Sequence, residues 1–195
     1  SERVLWLDGG RGVFAVATTP ATVRQVLVLF NSGGVHHIGP NRYYVELARA
    51  LAAEGVATLR VDLPGIGDSP PANAAEDNVV YAAGAVPACI AALRSVAREF
   101  PGLPLHAAGI CSGAYHSLKC ALEPGLLASA IVINPLTYFW KQGMVIEMPD
   151  FRVTAEAARY QRTMFTLSAW RKLFSGGVDP RNVLRVVARR AAARL

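Results

Sequence analysis

Short, continuous apolar runs alternate with segments of helical periodicity from Gln25 to Ile133, and turn-forming residues mark each change of pattern. Strand, helix, strand, helix, strand is the order of an α/β domain with right-handed crossovers and helices on both faces of a mostly parallel sheet. The runs Gln25 to Phe30, Val56 to Val61, Leu105 to Gly109 and Ala130 to Ile133 read as strands. The unbroken apolarity of Gln25 to Phe30 suits burial on both faces of a parallel sheet. From Asn41, residues Tyr44, Leu47, Ala48 and Leu51 recur at helical spacing until Gly55. Val86, Ile90, Leu93 and Ala97 share one face of a second helix, with Pro87 tolerable only near its first turn, and Gly113 to Leu122 forms a third. Upstream, Val4 to Leu7 and Val13 to Ala17 flank the glycine-rich Asp8 to Gly12, a hairpin pattern that adds an antiparallel edge pair. Six strands are thus expected, with functional loops at their carboxyl ends.

A chain of 195 residues that is 52% hydrophobic and 17% charged fits this reading and excludes a coiled coil, a collagen or a disordered segment. At this length a chain buries about 70% of its unfolded surface, so neither a disulfide nor a metal staple is required. Cys89, Cys111 and Cys120 are odd in number and lack CxxC spacing, which points to a reducing compartment, the cytoplasm. The uncharged run Pro101 to Leu118 carries two His, two Pro and two Ser, and no charged-then-apolar segment opens the chain. Neither a membrane span nor a signal peptide is expected.

Charge is unevenly distributed. Through Asp150 there are 10 Lys+Arg against 12 Asp+Glu; from Phe151 onward there are 10 against 2. A basic tail of this kind fits nucleic acid, an anionic surface or an acidic partner, or simply helices with Arg-rich outer faces. No nucleic-acid-binding motif accompanies it, so no nucleic-acid partner is expected. Helical patterns at Val153 to Tyr160, Leu167 to Phe174 and Pro180 to Leu195 give a division into a core, 1–150, and a basic helical cap or lid, 151–195.

The sharpest chemical signal is Gly109-Ile-Cys-Ser-Gly113, set between a strand and a helix. An abrupt strand-to-helix turn strains its central residue and displays that side chain, while the glycines avoid collision with neighbouring backbone. In the G-x-S-x-G nucleophile elbow the central residue is Ser; here it is Cys111. A helix N-terminus favours the thiolate form, which makes Cys111 the candidate nucleophile. Taken without its setting, the same pattern also fits a buried small Cys followed by a helix-capping Ser112. The second signal is Asn31-Ser-Gly-Gly34 after the first parallel strand. Acyl transfer needs backbone N–H donors aimed at a developing oxyanion, supplied by the residue after the nucleophile and by an earlier βα loop. Ser112 and Gly33 fill those two places, and Asn31, Ser32, His36, His37, Gly109 and Gly113 shape the site.

With these motifs in hand, the chain resembles the α/β-hydrolase superfamily. Phe30 to Arg42 is similar to the oxyanion loop of serine aminopeptidase-like bacterial hydrolases, including those encoded beside exosortase systems. Arg60-Val-Asp-Leu-Pro-Gly-Ile-Gly-Asp-Ser69 resembles the superfamily's D-x-x-G-x-G-x-S loop, and Gly109 to Tyr115 resembles the G-x-C-S-G-A-Y elbow of that group. Cys in place of Ser also resembles dienelactone hydrolases and favours ester or thioester over amide chemistry. The resemblance implies an α/β-hydrolase fold with no cofactor and no metal.

In this superfamily the acid and His follow the nucleophile, in loops after two further strands. Neither strand is legible here, so the last two strands are expected to be absent, the triad acid and base to lie outside this sequence, and the open edge to pair with another chain or with the remainder of the same protein. His116 lies in the helix leaving the elbow, His106 lies within the elbow strand as a core residue, and His36 and His37 precede the nucleophile. None reads as the general base. The expectation is therefore an acyl hydrolase or acyltransferase using Cys111 on a small-molecule ester or thioester, one that a basic lid would let a carrier protein deliver. The competing expectation is a noncatalytic domain that binds a partner through its Arg-rich helices.

Overall fold

The computed structural model describes residues 1–7, 12–141 and 144. Six strands, β1 (Glu2–Leu7), β2 (Val13–Thr18), β3 (Gln25–Phe30), β4 (Val56–Asp62), β5 (Leu105–Ile110) and β6 (Ser129–Ile133), form one sheet in the order β1-β2-β4-β3-β5-β6. The first two pairings, β1 with β2 and β2 with β4, are antiparallel; β3 with β4, β3 with β5, and β5 with β6 are parallel. The expected hairpin is thus present as a strand pair, while its turn at 8–11 lies outside the described residues. Central strands β3 and β4 are buried almost end to end; β3 is continuously apolar from Val26 to Phe30, whereas β4 also buries Thr58, Arg60 and Asp62. The edge strand β6 leaves Ile131 and Ile133 exposed.

Three helices connect the strands: α1 (Tyr43–Ala53), α2 (Ala85–Glu99) and α3 (Ser112–Ala121). The first starts later than its periodicity predicts, because Asn41 and Arg42 adopt positive φ of 50° and 63° within a short 3-10 turn, Pro40–Arg42. In α2 the predicted face is rotated. Ala85, Cys89, Ala92, Leu93 and Val96 are buried, whereas Val86 and Ile90 are half-buried and Ala97 is exposed. The small side chains at 85, 89 and 92 occupy the inner stripe, so volume as well as hydrophobicity decides which face is buried. The main core joins this stripe to Val26, Val28, Phe30, Leu59 and Val61.

The chain divides into units Ser1–Val145 and Ile146–Leu195. The three helical patterns expected after Phe151, and with them the cap or lid, lie outside the described residues. No described helix is long and apolar enough to cross a membrane.

His116 is packed in α3 beside Phe30, Tyr81 and Tyr115, and neither ring nitrogen has a hydrogen-bond partner among the described residues. Burial pushes its pKa down to about 4, so the folded protein holds it neutral while the unfolded chain protonates it below about 6.5. Its contribution to stability is therefore present at neutral pH and lost as pH falls, by about 3 kcal/mol at pH 4. Urea denaturation at pH 7 and pH 4.5 should show the wild type losing more stability than His116→Phe; equal losses would refute the assignment.

Candidate active site

Cys111 sits where β5 becomes α3, with φ 60° and ψ −113°, a conformation that costs a non-glycine residue about 1–3 kcal/mol. Two close backbone approaches produce it. A Cβ on Gly109 would lie 2.2 Å from the carbonyl carbon of Gly113, and one on Gly113 would lie 2.5 Å from the Phe30 carbonyl oxygen. Both flanking glycines are thus steric requirements. The Cys111 N–H donates to the Ile133 carbonyl at 3.0 Å, tying the elbow to β6, and its thiol is half-buried and free. As the first residues of α3, Ser112 and Gly113 have N–H groups without partners inside the helix, the usual locus for stabilising an anion.

Ser112 itself is buried. Its hydroxyl accepts from the Gly33 N–H at 2.8 Å and donates to the Asn31 carbonyl at 3.2 Å. The structure thereby brings together the elbow and the loop after β3, with the Gly33 amide engaged by the Ser112 hydroxyl. Tyr44, expected only as an apolar position on α1, does more than pack. Its hydroxyl donates to the Phe30 carbonyl at 3.1 Å and accepts from the Ile110 N–H at 3.2 Å, bracing the ends of β3 and β5 from which both loops emerge. Burial pushes this phenol up to about 12, so it remains a donor throughout the ordinary pH range.

Asn31 and Asp62 hold the next pair of loops. Asn31 Nδ2 donates to Asp62 Oδ1 at 2.8 Å and to the Val35 carbonyl at 3.0 Å, and Asn31 Oδ1 accepts from the Leu63 N–H at 2.7 Å. Fully buried Asp62 takes its remaining partners through Oδ2, from the Asp68 N–H at 3.0 Å and from His37 Nδ1 at 2.9 Å. Ser32 bridges to Val35 in the same loop, and His36 is exposed with its ring 5.0 Å from that of His37. His106 Nδ1 pairs with Ser129 Oγ at 2.8 Å. His37 and His106 are therefore engaged by other side chains, and His116 is enclosed.

Sequence reasoning also missed an aromatic cluster beside α3. Trp140 stacks on Tyr81 at 4.5 Å, and Tyr81 meets Tyr115 edge-on at 5.3 Å. The Tyr81 hydroxyl is buried without a partner, and burial together with the charge of a Cys111 thiolate pushes it up to about 12. A separate apolar cavity of about 420 Å³ lies between α1 and the β5–β6 side of the sheet, lined by Leu27, Leu29, Leu47, Ala108 and Ile131.

A parallel-sheet core whose nucleophile position is displayed on a glycine-flanked, strained strand-to-helix turn defines the hydrolase class of α/β protein. The chain belongs to the alpha/beta hydrolase family, whose sequence profile matches residues 27–195. No curated protein matches it in sequence. Among solved structures it is similar to TT1662 from Thermus thermophilus, at 22% identity and a TM-score of 0.57 over 80% of this chain and 66% of that one. Carboxylesterase CesB from Bacillus subtilis matches at 19% identity and a TM-score of 0.55, over 80% of this chain and 50% of its own. Dienelactone hydrolase from Anabaena variabilis matches at 16% identity and a TM-score of 0.54, over 67% and 61%. The chain thus spans between half and two thirds of the length of these structures, and the likeness establishes the fold.

Proposed function

We propose that the protein is an acyl hydrolase or acyltransferase in which Cys111 attacks an ester or thioester carbonyl. The observation that carries the reading is the strained Cys111 backbone at the N-terminus of α3, held by Gly109 and Gly113. In the first step Sγ bonds to the carbonyl carbon and the carbonyl π pair moves to oxygen. The Ser112 N–H stabilises that oxyanion, joined by the Gly33 N–H once the Ser112 hydroxyl turns away from it. Collapse expels the alcohol or thiol, which takes up the proton lost from the cysteine, and leaves an acyl-Cys111. The esterase and dienelactone hydrolase names among the structural neighbours agree with ester chemistry.

The finer likeness to hydrolases encoded beside exosortase systems, a cytoplasmic location and a carrier-bound acyl group drawn by the basic 151–195 segment belong to the same proposal. A competing reading, a noncatalytic partner-binding domain, draws on the prior engagement of the Gly33 amide by Ser112. Alkylation separates the two. Cys89 and Cys120 are fully buried, and burial pushes the Cys89 thiol up, so both should resist iodoacetamide in the native protein. Peptide mapping after brief treatment at pH 7 should find the label on Cys111 at least about tenfold faster than on either. Equal labelling of all three, or an inert Cys111, would reject the catalytic reading.

A further inference from the structure

His36 and His37 come from the loop after β3, Asp62 from the end of β4 and Asp68 from the loop that follows it, and the fold gathers one donor atom from each to within 4.8 Å of one another. We propose that these four side chains form a binding site for a divalent transition metal of the zinc class, linking the loop after β3 to the loop after β4. Two imidazoles and two carboxylates are a donor set such ions accept, and four is the coordination number of structural zinc. With zinc–nitrogen and zinc–oxygen bonds of about 2.0–2.2 Å, donors around a tetrahedral ion stand about 3.4 Å apart. His37 Nδ1 already lies 2.9 Å from Asp62 Oδ2 and 3.6 Å from Asp68 Oδ2.

The cluster divides into a buried part and an exposed part. Asp62 is fully buried and both its oxygens are oriented, by Asn31 Nδ2 and by the Asp68 N–H, the outer-shell support that a metal-binding carboxylate needs. His36 and Asp68 are exposed, so they are free to close the remaining distance and to admit the ion from solvent. Gly67 permits the assembly: a Cβ there would lie 2.3 Å from Asp62 Oδ2 and 2.6 Å from His36 Cβ, so any larger residue would wedge the two loops apart. On binding, the ion takes the place of the proton between His37 Nδ1 and Asp62 Oδ2, and the neutral ring, bound through Nδ1, carries its proton on Nε2. The site does not depend on the acyl-transfer reading, because none of its ligands takes part in that chemistry.

The full chain, stripped with chelator and titrated with Zn²⁺ against a chromogenic zinc indicator, should bind one ion per molecule. Co²⁺ should give the visible absorption of a four-coordinate site. His36→Gln and Asp68→Asn, both on exposed side chains, should each weaken zinc binding at least about tenfold, while Cys111→Ala leaves it unchanged. No stoichiometric uptake, uptake insensitive to both loop variants, or uptake lost only in Cys111→Ala would overturn the proposal, the last by placing the metal on the thiol.

Discussion

Gly113→Val should abolish the cooperative folding transition or lower stability by at least about 4 kcal/mol, a large part of the roughly 5–15 kcal/mol that holds a domain of this size together. The first carbon added at this position would lie 2.5 Å from the Phe30 carbonyl oxygen and 2.7 Å from that of Asn31. Both are backbone atoms at the end of β3, and β3 is paired on both sides, with β4 and with β5. Relief would require α3 to lift away from the sheet, exposing the Phe30, Tyr81 and Tyr115 surfaces that enclose His116. Gly113 also fixes its own turn through its carbonyl, which accepts from the Ser117 hydroxyl at 2.8 Å. Urea denaturation followed by circular dichroism measures the loss. A decrease of only about 0.5 kcal/mol, the difference expected from helix propensity at an open helix start, would mean that the elbow is not closed in the way described.

The same steric logic explains which parts of the fold were legible in the sequence. Strand β3 follows from a run of Val, Leu and Phe whose chemistry allows little besides a doubly buried strand, and the observed limits of β3 to β6 differ from the pattern by a residue or so, although β6 leaves Ile131 and Ile133 exposed. The inner face of α2 was legible only at Leu93, because Cys89 and Ala92 share the buried stripe and small side chains carry little weight in a hydrophobicity pattern. Within the site, Cys111 and its glycines are contiguous, so local spacing exposes them. The Asn31–Asp62–His37 network joins two separate loops, and the Tyr44 brace joins a helix to two strand ends. Contacts of that kind depend on strand order, and from the sequence alone Tyr44 is indistinguishable from any aromatic residue on an apolar helix face. The engagement of the Gly33 amide by Ser112 is hidden for a similar reason: a serine following the nucleophile reads as a helix cap, and only the packing of α3 against the end of β3 turns its hydroxyl toward the neighbouring loop.

Removing the thiol should eliminate acylation completely while leaving the fold intact, and the backbone at 111 makes the outcome more informative than an ordinary knockout. Incubated with an activated aryl ester, the wild type should gain one acyl group per chain by mass, mapped to Cys111, and Cys111→Ala and Cys111→Gly should gain none. Ser112→Ala should still acylate, because the variant keeps the backbone N–H of residue 112 and frees the Gly33 N–H now bound to the serine hydroxyl. Acylation surviving in Cys111→Ala but not in Ser112→Ala would move the nucleophile one residue along the chain. Slow release of the acyl group is also expected, since His37 is committed to Asp62, His106 to Ser129, and His116 is enclosed without partners. A burst without sustained turnover is the kinetic form of that arrangement. The two thiol-free variants further differ in strain. Alanine at position 111 must keep φ near 60°, whereas glycine adopts it without steric cost, so Cys111→Gly should be more stable than Cys111→Ala by about 1 kcal/mol. Elsewhere in an α/β domain glycine is the weaker choice, and a reversal confined to this residue would demonstrate backbone strain held at the position where the nucleophile is displayed.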